Sequence, residues 1–267
     1  MSEMREIRIQ SAGIEATIVP ERGGLITQLA IEGTELLFLD RATFEDRSQH
    51  VRGGIPILFP FAARLEGDIF KATGKPMPSH GFARDLEWTT DEEETRRSPD
   101  SHRMWLEPDE KTLEPYPFPL RLTQTTRVSE GQLSVTLDIE NKGEAPMPMA
   151  PGWHPYFCCP EKGKKAVTYE LEGFPYDELS TEEMYNLGLE TPRAAEICFD
   201  IPNVSKVRLA FSPEFRHLQF WSLPGREFIC VEPWDGPANV INTEDCRSIE
   251  PGDAATYWMG ISLAGKD

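Results

Sequence analysis

From residue 133 to 140 the chain alternates without a break. Leu133, Val135, Leu137 and Ile139 are apolar, and Ser134, Thr136, Asp138 and Glu140 between them are polar. A two-residue period of this kind belongs to a strand with one face in a core and the other in water. Tyr257, Met259, Ile261 and Leu263 repeat it, as do short runs at 7–10 and 15–19 separated by Ser11-Ala12-Gly13. The run 120–128 leads into 133–139 through Ser129-Glu130-Gly131, a predicted hairpin turn. Long helices are excluded, because 23 prolines and 20 glycines interrupt the chain too often. Only Thr181-Glu182-Glu183-Met184 reads as the opening of a helical turn. The charged stretch 91–100 and the proline-rich stretch 107–119 read as solvated loops. No solenoid or propeller period is present. The expectation is an all-β chain, a large antiparallel β-sandwich forming a single domain over residues 1–267.

Size and charge narrow the function. A chain of 267 residues, 39% of them hydrophobic, can build a packed core without metals or disulfides. Its formal net charge of −18 repels nucleic acid and anionic lipid, so neither is expected as a partner. An anionic ligand would need arginines that offset that field locally. The five cysteines, Cys158, Cys159, Cys198, Cys230 and Cys246, are odd in number and lack zinc-ligand spacing. Reduced thiols in a cytoplasmic protein are expected. The N-terminus lacks the basic-then-apolar order of a signal peptide, and no apolar run approaches the roughly 20 residues of a membrane helix.

Several catalytic devices are missing. There is no Gly-x-Ser-x-Gly elbow, no Gly-Lys-Ser/Thr phosphate loop and no strand-linked Gly-x-Gly-x-x-Gly. His50, His80, His102, His154 and His217 form no His-x-His or His-Glu-x-x-His arrangement, so no metal is expected. What remains is histidine with carboxylate, a general acid/base pair that works near neutral pH. His154 lies between Trp153 and Pro155-Tyr156-Phe157, an aromatic setting suited to the apolar face of a sugar ring. His80 precedes Gly81, and Glu232 ends the apolar run Phe228-Ile229-Cys230-Val231. Each has an ordinary alternative: a buried histidine bonded to a carbonyl, a turn residue, a solvated carboxylate. Arg52, Arg64 and Arg84 offer planar forks for hydroxyls, carboxylates or phosphate, against surface ion pairs of little worth. Arg52 stands beside Gly53-Gly54, which allow a tight bend. Trp153 and Trp234 flank the candidate acid and base as sugar platforms, while Trp221 reads as a core or rim aromatic.

Taken together, Arg52-Gly53-Gly54-Ile55-Pro56-Ile57-Leu58-Phe59-Pro60, Ala63-Arg64, His80-Gly81-Phe82-Ala83-Arg84, His154-Pro155-Tyr156-Phe157 and Cys230-Val231-Glu232-Pro233 resemble the aldose 1-epimerase (galactose mutarotase-like) family. The similarity is greatest to its bacterial branch, which includes hexose-6-phosphate 1-epimerases. The resemblance implies a β-supersandwich with an open sugar cleft and cofactor-free interconversion of the α and β anomers of an aldose. It implies Glu232 as general base on the C1 hydroxyl and His154 as general acid on the ring oxygen. His80 would be a second hydrogen-bonding histidine and Arg64 a substrate-binding arginine. Arg52 and Arg84 match arginines of the hexose-6-phosphate branch, which implies a sugar or sugar phosphate as the small-molecule partner. The family also places an aspartate on a sugar hydroxyl; Glu196, Asp200 and Asp177 are the candidates here. After Phe59-Pro60 the chain reads Phe61-Ala62-Ala63-Arg64, not the Phe-Gly type of the best-known hexose-6-phosphate epimerases. Two competing readings are a carbohydrate-binding or regulatory protein without turnover, and a sugar isomerase on a metal-dependent cupin-like barrel.

Overall fold

A computed structural model describes residues 4–176, 185–190 and 195–265. The expected turn at Thr181-Glu182-Glu183-Met184, and Asp177, lie outside the described residues.

The alternating run at 133–139 becomes the strand Gln132–Asn141, buried at every second residue. It pairs with Leu120–Ser129 on one side and with Ala254–Leu263 on the other. The turn between the first two occupies Glu130 and Gly131, both at positive φ, as a two-residue hairpin requires. Leu133, Val135 and Leu137 stand opposite Ile261, Met259 and Tyr257, so cross-strand pairs fill the core row by row. Outward from this centre the sheet extends through Ser205–Phe211, Glu196–Ile201 and Thr168–Tyr169 on one side. On the other it reaches Ser101–Leu106 and Thr89–Thr90, making eight strands.

A second sheet of six strands contains Tyr185–Glu190, His217–Ser222, Phe228–Trp234, Gly152–Trp153 and Ile57–Leu58, with Tyr156–Cys158 also against Phe228–Trp234. A four-stranded sheet formed by Ile7–Ser11, Ile14–Val19, Leu25–Ile31 and Thr34–Glu35 completes the large layers. Every pairing between the described strands is antiparallel. One apolar cluster runs between the sheets and draws on residues from Ile9 to Ile261. This is the antiparallel β-supersandwich that the resemblance implied.

Two stretches expected as loops contain short helices. Glu92–Arg97 is capped by Asp91, whose side chain accepts from the Glu94 N–H, with acidic residues in the first turn and arginines in the last. Glu110–Leu113 is capped in the same way by Asp109. Local capping and charge order outweighed the polar composition on which the loop expectation rested. Among the described residues no helix is long and apolar enough to cross a membrane.

Candidate active site

The strand Phe228–Trp234 is buried along its whole length, so its two faces divide between two buried layers rather than between core and water. Ile229 and Val231 join the main core. Phe228, Cys230, Glu232 and Trp234 face the other way. The register sets Gln219 opposite Glu232, His217 opposite Trp234, and both Trp221 and Tyr156 opposite Cys230. Opposed residues share a face. The result is a cleft of about 710 Å³ whose lining includes His80, His154, Glu232, Tyr156, Trp221 and Trp234.

The Gly-Gly-Ile-Pro segment holds His154 in place. The His154 N–H donates to the Pro56 carbonyl at 3.0 Å, and the Tyr156 N–H donates to the Gly54 carbonyl at 2.9 Å. Gly54 has φ +64°, and a Cβ there would stand 2.3 Å from the Ile26 carbonyl oxygen. The His154 ring stacks on Tyr156 at 4.5 Å and meets Trp221 edge-on at 5.6 Å.

His80 reaches the cleft from a strained turn. Its φ is +66°, and a Cβ at the following Gly81 would lie 2.1 Å from the Phe59 carbonyl oxygen. The Ala63 N–H donates to His80 Nδ1 at 2.9 Å. That bond makes Nδ1 an acceptor and puts the hydrogen of the neutral ring on Nε2. Burial and the charge of Arg84 hold the His80 pKa well below the ordinary imidazole value. His80 is therefore a neutral N–H donor, its ring 5.5 Å from that of His154.

Glu232 is 1% exposed. Its Oε2 accepts from Trp234 Nε1 at 3.2 Å, and its Oε1 lies 3.5 Å from His154 Nδ1, which has no hydrogen-bond partner. Burial pushes the Glu232 carboxyl well above its usual range, against the opposing pull of the Trp234 hydrogen bond and Arg84. Burial, with the charge of Arg84, pushes His154 down to about 3. Burial thus favours the uncharged form of each group, a carboxyl and a neutral imidazole.

The arginines divide. Arg84 is mostly buried beside the pair, donating to the Ser79 carbonyl at 2.8 Å with its Nε 3.8 Å from Asp85. Arg52 is exposed at the rim, and Arg64 is exposed there too, 3.5 Å from Asp68. Arg22, unremarked in the sequence, donates to the carbonyls of Thr43, Phe44, Asp46 and Gln49 and so fixes the loop that brings Gln49, His50 and Arg52 to the rim.

Some expected residues lie elsewhere. Trp153 is 1% exposed in the main core against Phe215, and it does not line the cleft. It directly precedes His154, and its ring takes the core side while the histidine takes the cleft side. Trp234 does line the cleft, stacked on His217 at 5.5 Å. Glu196 and Asp200 lie on the eight-stranded sheet, with Glu196 paired to Arg208, and neither lines the cleft. Where a carboxylate was sought, the lining carries a pair of bonded amides: Gln219 Nε2 donates to Asn186 Oδ1 at 2.7 Å. Among the described residues the lining thus holds Arg52, Arg64 and Arg84 but a single carboxylate, Glu232, in a chain of net charge −18. Among the described residues, His154, Cys230 and Glu232 also form a compact group of ligand atoms, although sequence spacing gave no metal site.

A β-supersandwich with a buried carboxyl and two histidines in an aromatic cleft defines the class of protein to which the chain is to be compared. The family model for aldose 1-epimerase matches residues 5–261, and the chain belongs to that family of isomerases. Solved structures agree with the fold. The Slr1438 protein from Synechocystis sp. PCC 6803 is 28% identical with a TM-score of 0.87, covering 99% of this chain and 97% of its own. A galactose mutarotase-like protein from Lactobacillus casei ATCC 334 is 22% identical with a TM-score of 0.78, covering 97% and 100%. A galactose mutarotase related enzyme from Lactobacillus acidophilus is 18% identical with a TM-score of 0.76, covering 98% of each chain.

Proposed function

We propose that the protein is a mutarotase that interconverts the α and β anomers of a hexose and accepts the hexose 6-phosphate. The observation that carries the reading is the buried Glu232–His154 contact beside the neutral donor His80. A buried carboxylate is costly unless the site uses it, and a protein that only binds sugar needs no acid and base in contact.

The reaction moves protons without oxidation or group transfer. The cycle starts from the uncharged pair, with one proton on Glu232 Oε1; its transfer to His154 Nδ1, across 3.5 Å, leaves a carboxylate and an imidazolium with no change of net charge. Sugar hydroxyls and the Trp234 N–H favour that form. Glu232 then removes the proton from the C1 hydroxyl while the imidazolium gives one to the ring oxygen, and the C1–O5 bond breaks. The Nε2–H of His80 supports the ring oxygen as charge develops. Rotation about C1–C2 and reversal of both transfers closes the other anomer and restores the pair. Asn186 and Gln219 supply neutral hydrogen bonds to hydroxyls, and Trp221 offers an apolar face to the ring.

The phosphate reading rests on the local charge. Among the described residues, three arginines against one buried carboxyl group give the cleft a positive balance inside an acidic protein. The test is anomer exchange measured by NMR over a panel of aldoses and their 6-phosphates. A higher kcat/KM for a 6-phosphate than for its free sugar is expected; equal values would make the substrate a free aldose.

A further inference from the structure

Cys230 precedes Glu232 by two residues, so both side chains leave the strand on the same face. Its sulfur, a ring nitrogen of His154 and a carboxylate oxygen of Glu232 lie within 4.8 Å of one another, and all three residues are buried. Two further facts point to a ligand. His154 Nδ1 is enclosed without a hydrogen-bond partner, in a residue only 6% exposed. His154 and Glu232 also line the open cleft, which supplies both an entry path and a fourth coordination position. Imidazole, thiolate and carboxylate are ligands of zinc and of softer divalent ions. Metal–ligand bonds of 2.0–2.3 Å in a tetrahedron give ligand–ligand edges of about 3.5 Å, so separations of up to 4.8 Å close by about 1.3 Å at most. Thiolate and carboxylate together cancel a double positive charge, so the loaded site buries no net charge.

We propose that Cys230, His154 and Glu232 form an inhibitory site for a zinc-like divalent cation. The ion occupies the carboxylate and imidazole lone pairs that proton transfer requires. The inhibition rests on the function proposed above; the binding does not.

The experiment uses the full chain freed of metal with EDTA. Zinc is expected to inhibit anomer exchange and EDTA to reverse it. Cys230→Ser and Cys230→Ala are expected to keep the metal-free rate within about twofold and to raise the half-inhibitory zinc concentration at least about tenfold. X-ray absorption of wild type loaded with one equivalent of zinc is expected to find one sulfur among nitrogen and oxygen ligands. Equal inhibition of wild type and variants, or a shell without sulfur, overturns the proposal. If neither variant folds, the absorption measurement on wild type decides. If wild type lacks anomer exchange altogether, a sulfur-containing shell upholds the site while the functional reading fails.

Discussion

Replacing Trp234 with phenylalanine removes one hydrogen bond from the proposed base and keeps an aromatic ring against His217. The indole N–H donates to Glu232 Oε2 at 3.2 Å within a buried layer. Hydrogen bonds to charged groups contribute about 1.5–3 kcal/mol, and this one is at the long end of the normal range, so the lower figure applies. The bond stabilises the carboxylate more than the carboxyl. Its loss makes the proton transfer from Glu232 to His154 costlier by about 1.5 kcal/mol, or about tenfold. In Trp234→Phe, kcat is expected to fall about tenfold with KM close to wild type, read by NMR exchange over a range of sugar concentrations. A thermal melt establishes that the variant is folded at the assay temperature. The reasoning is refuted if kcat is unchanged and KM rises, which is the signature of a platform that grips the sugar by stacking.

Arg52→Ala is expected to weaken a hexose 6-phosphate by about tenfold or more and leave the free sugar unaffected, since a charge-assisted bond contributes about 1.5–3 kcal/mol; equal losses in a calorimetric titration would make Arg52 structural. The acidic limb of the kcat–pH profile is expected nearer pH 3 than the 6.5 of a free imidazole, because a second proton on the Glu232–His154 pair must overcome burial; a limb at 6.5 would contradict the one-proton pair. His102 is 1% exposed, neither ring nitrogen has a partner, and burial pushes its pKa to about 4. Its folded pKa lies below the unfolded one, so its contribution is full above pH 6.5 and declines as pH falls towards 4, by about 3 kcal/mol in all. Urea midpoints at neutral and acid pH should show a flatter pH dependence for His102→Leu than for wild type; parallel slopes would exclude His102.

The fold was legible wherever one strand face meets water. The pattern at Leu133, Val135, Leu137 and Ile139 fixed both the strand and its buried side, and Glu130-Gly131 marked its hairpin. The strand Phe228–Trp234 was harder to read because both of its faces are buried, so polarity did not separate Val231, in the core, from Glu232, in the cleft. Trp153 failed for the same reason: its place beside His154 in sequence carried no information about which side of the sheet its ring takes. Gln219, Trp221 and Asn186 emerge only from register, which sets distant segments opposite one another. The Cys230 cluster was hidden similarly, since its histidine lies between two short strands far in sequence from the strand that carries Cys230 and Glu232. The upward shift of the Glu232 carboxyl was likewise beyond the sequence, because it depends on the depth of burial.

The most direct test of the central claim is two-dimensional exchange NMR of a hexose and its 6-phosphate at equilibrium, with wild type and with Glu232→Gln. The amide keeps the shape of the side chain but cannot accept the C1 proton. Wild type is expected to produce α–β exchange peaks that Glu232→Gln reduces by about 10²–10⁴-fold, while saturation-transfer difference signals show the variant still binding the sugar. Exchange of undiminished rate in Glu232→Gln, or none above the uncatalysed rate in wild type, would contradict the account.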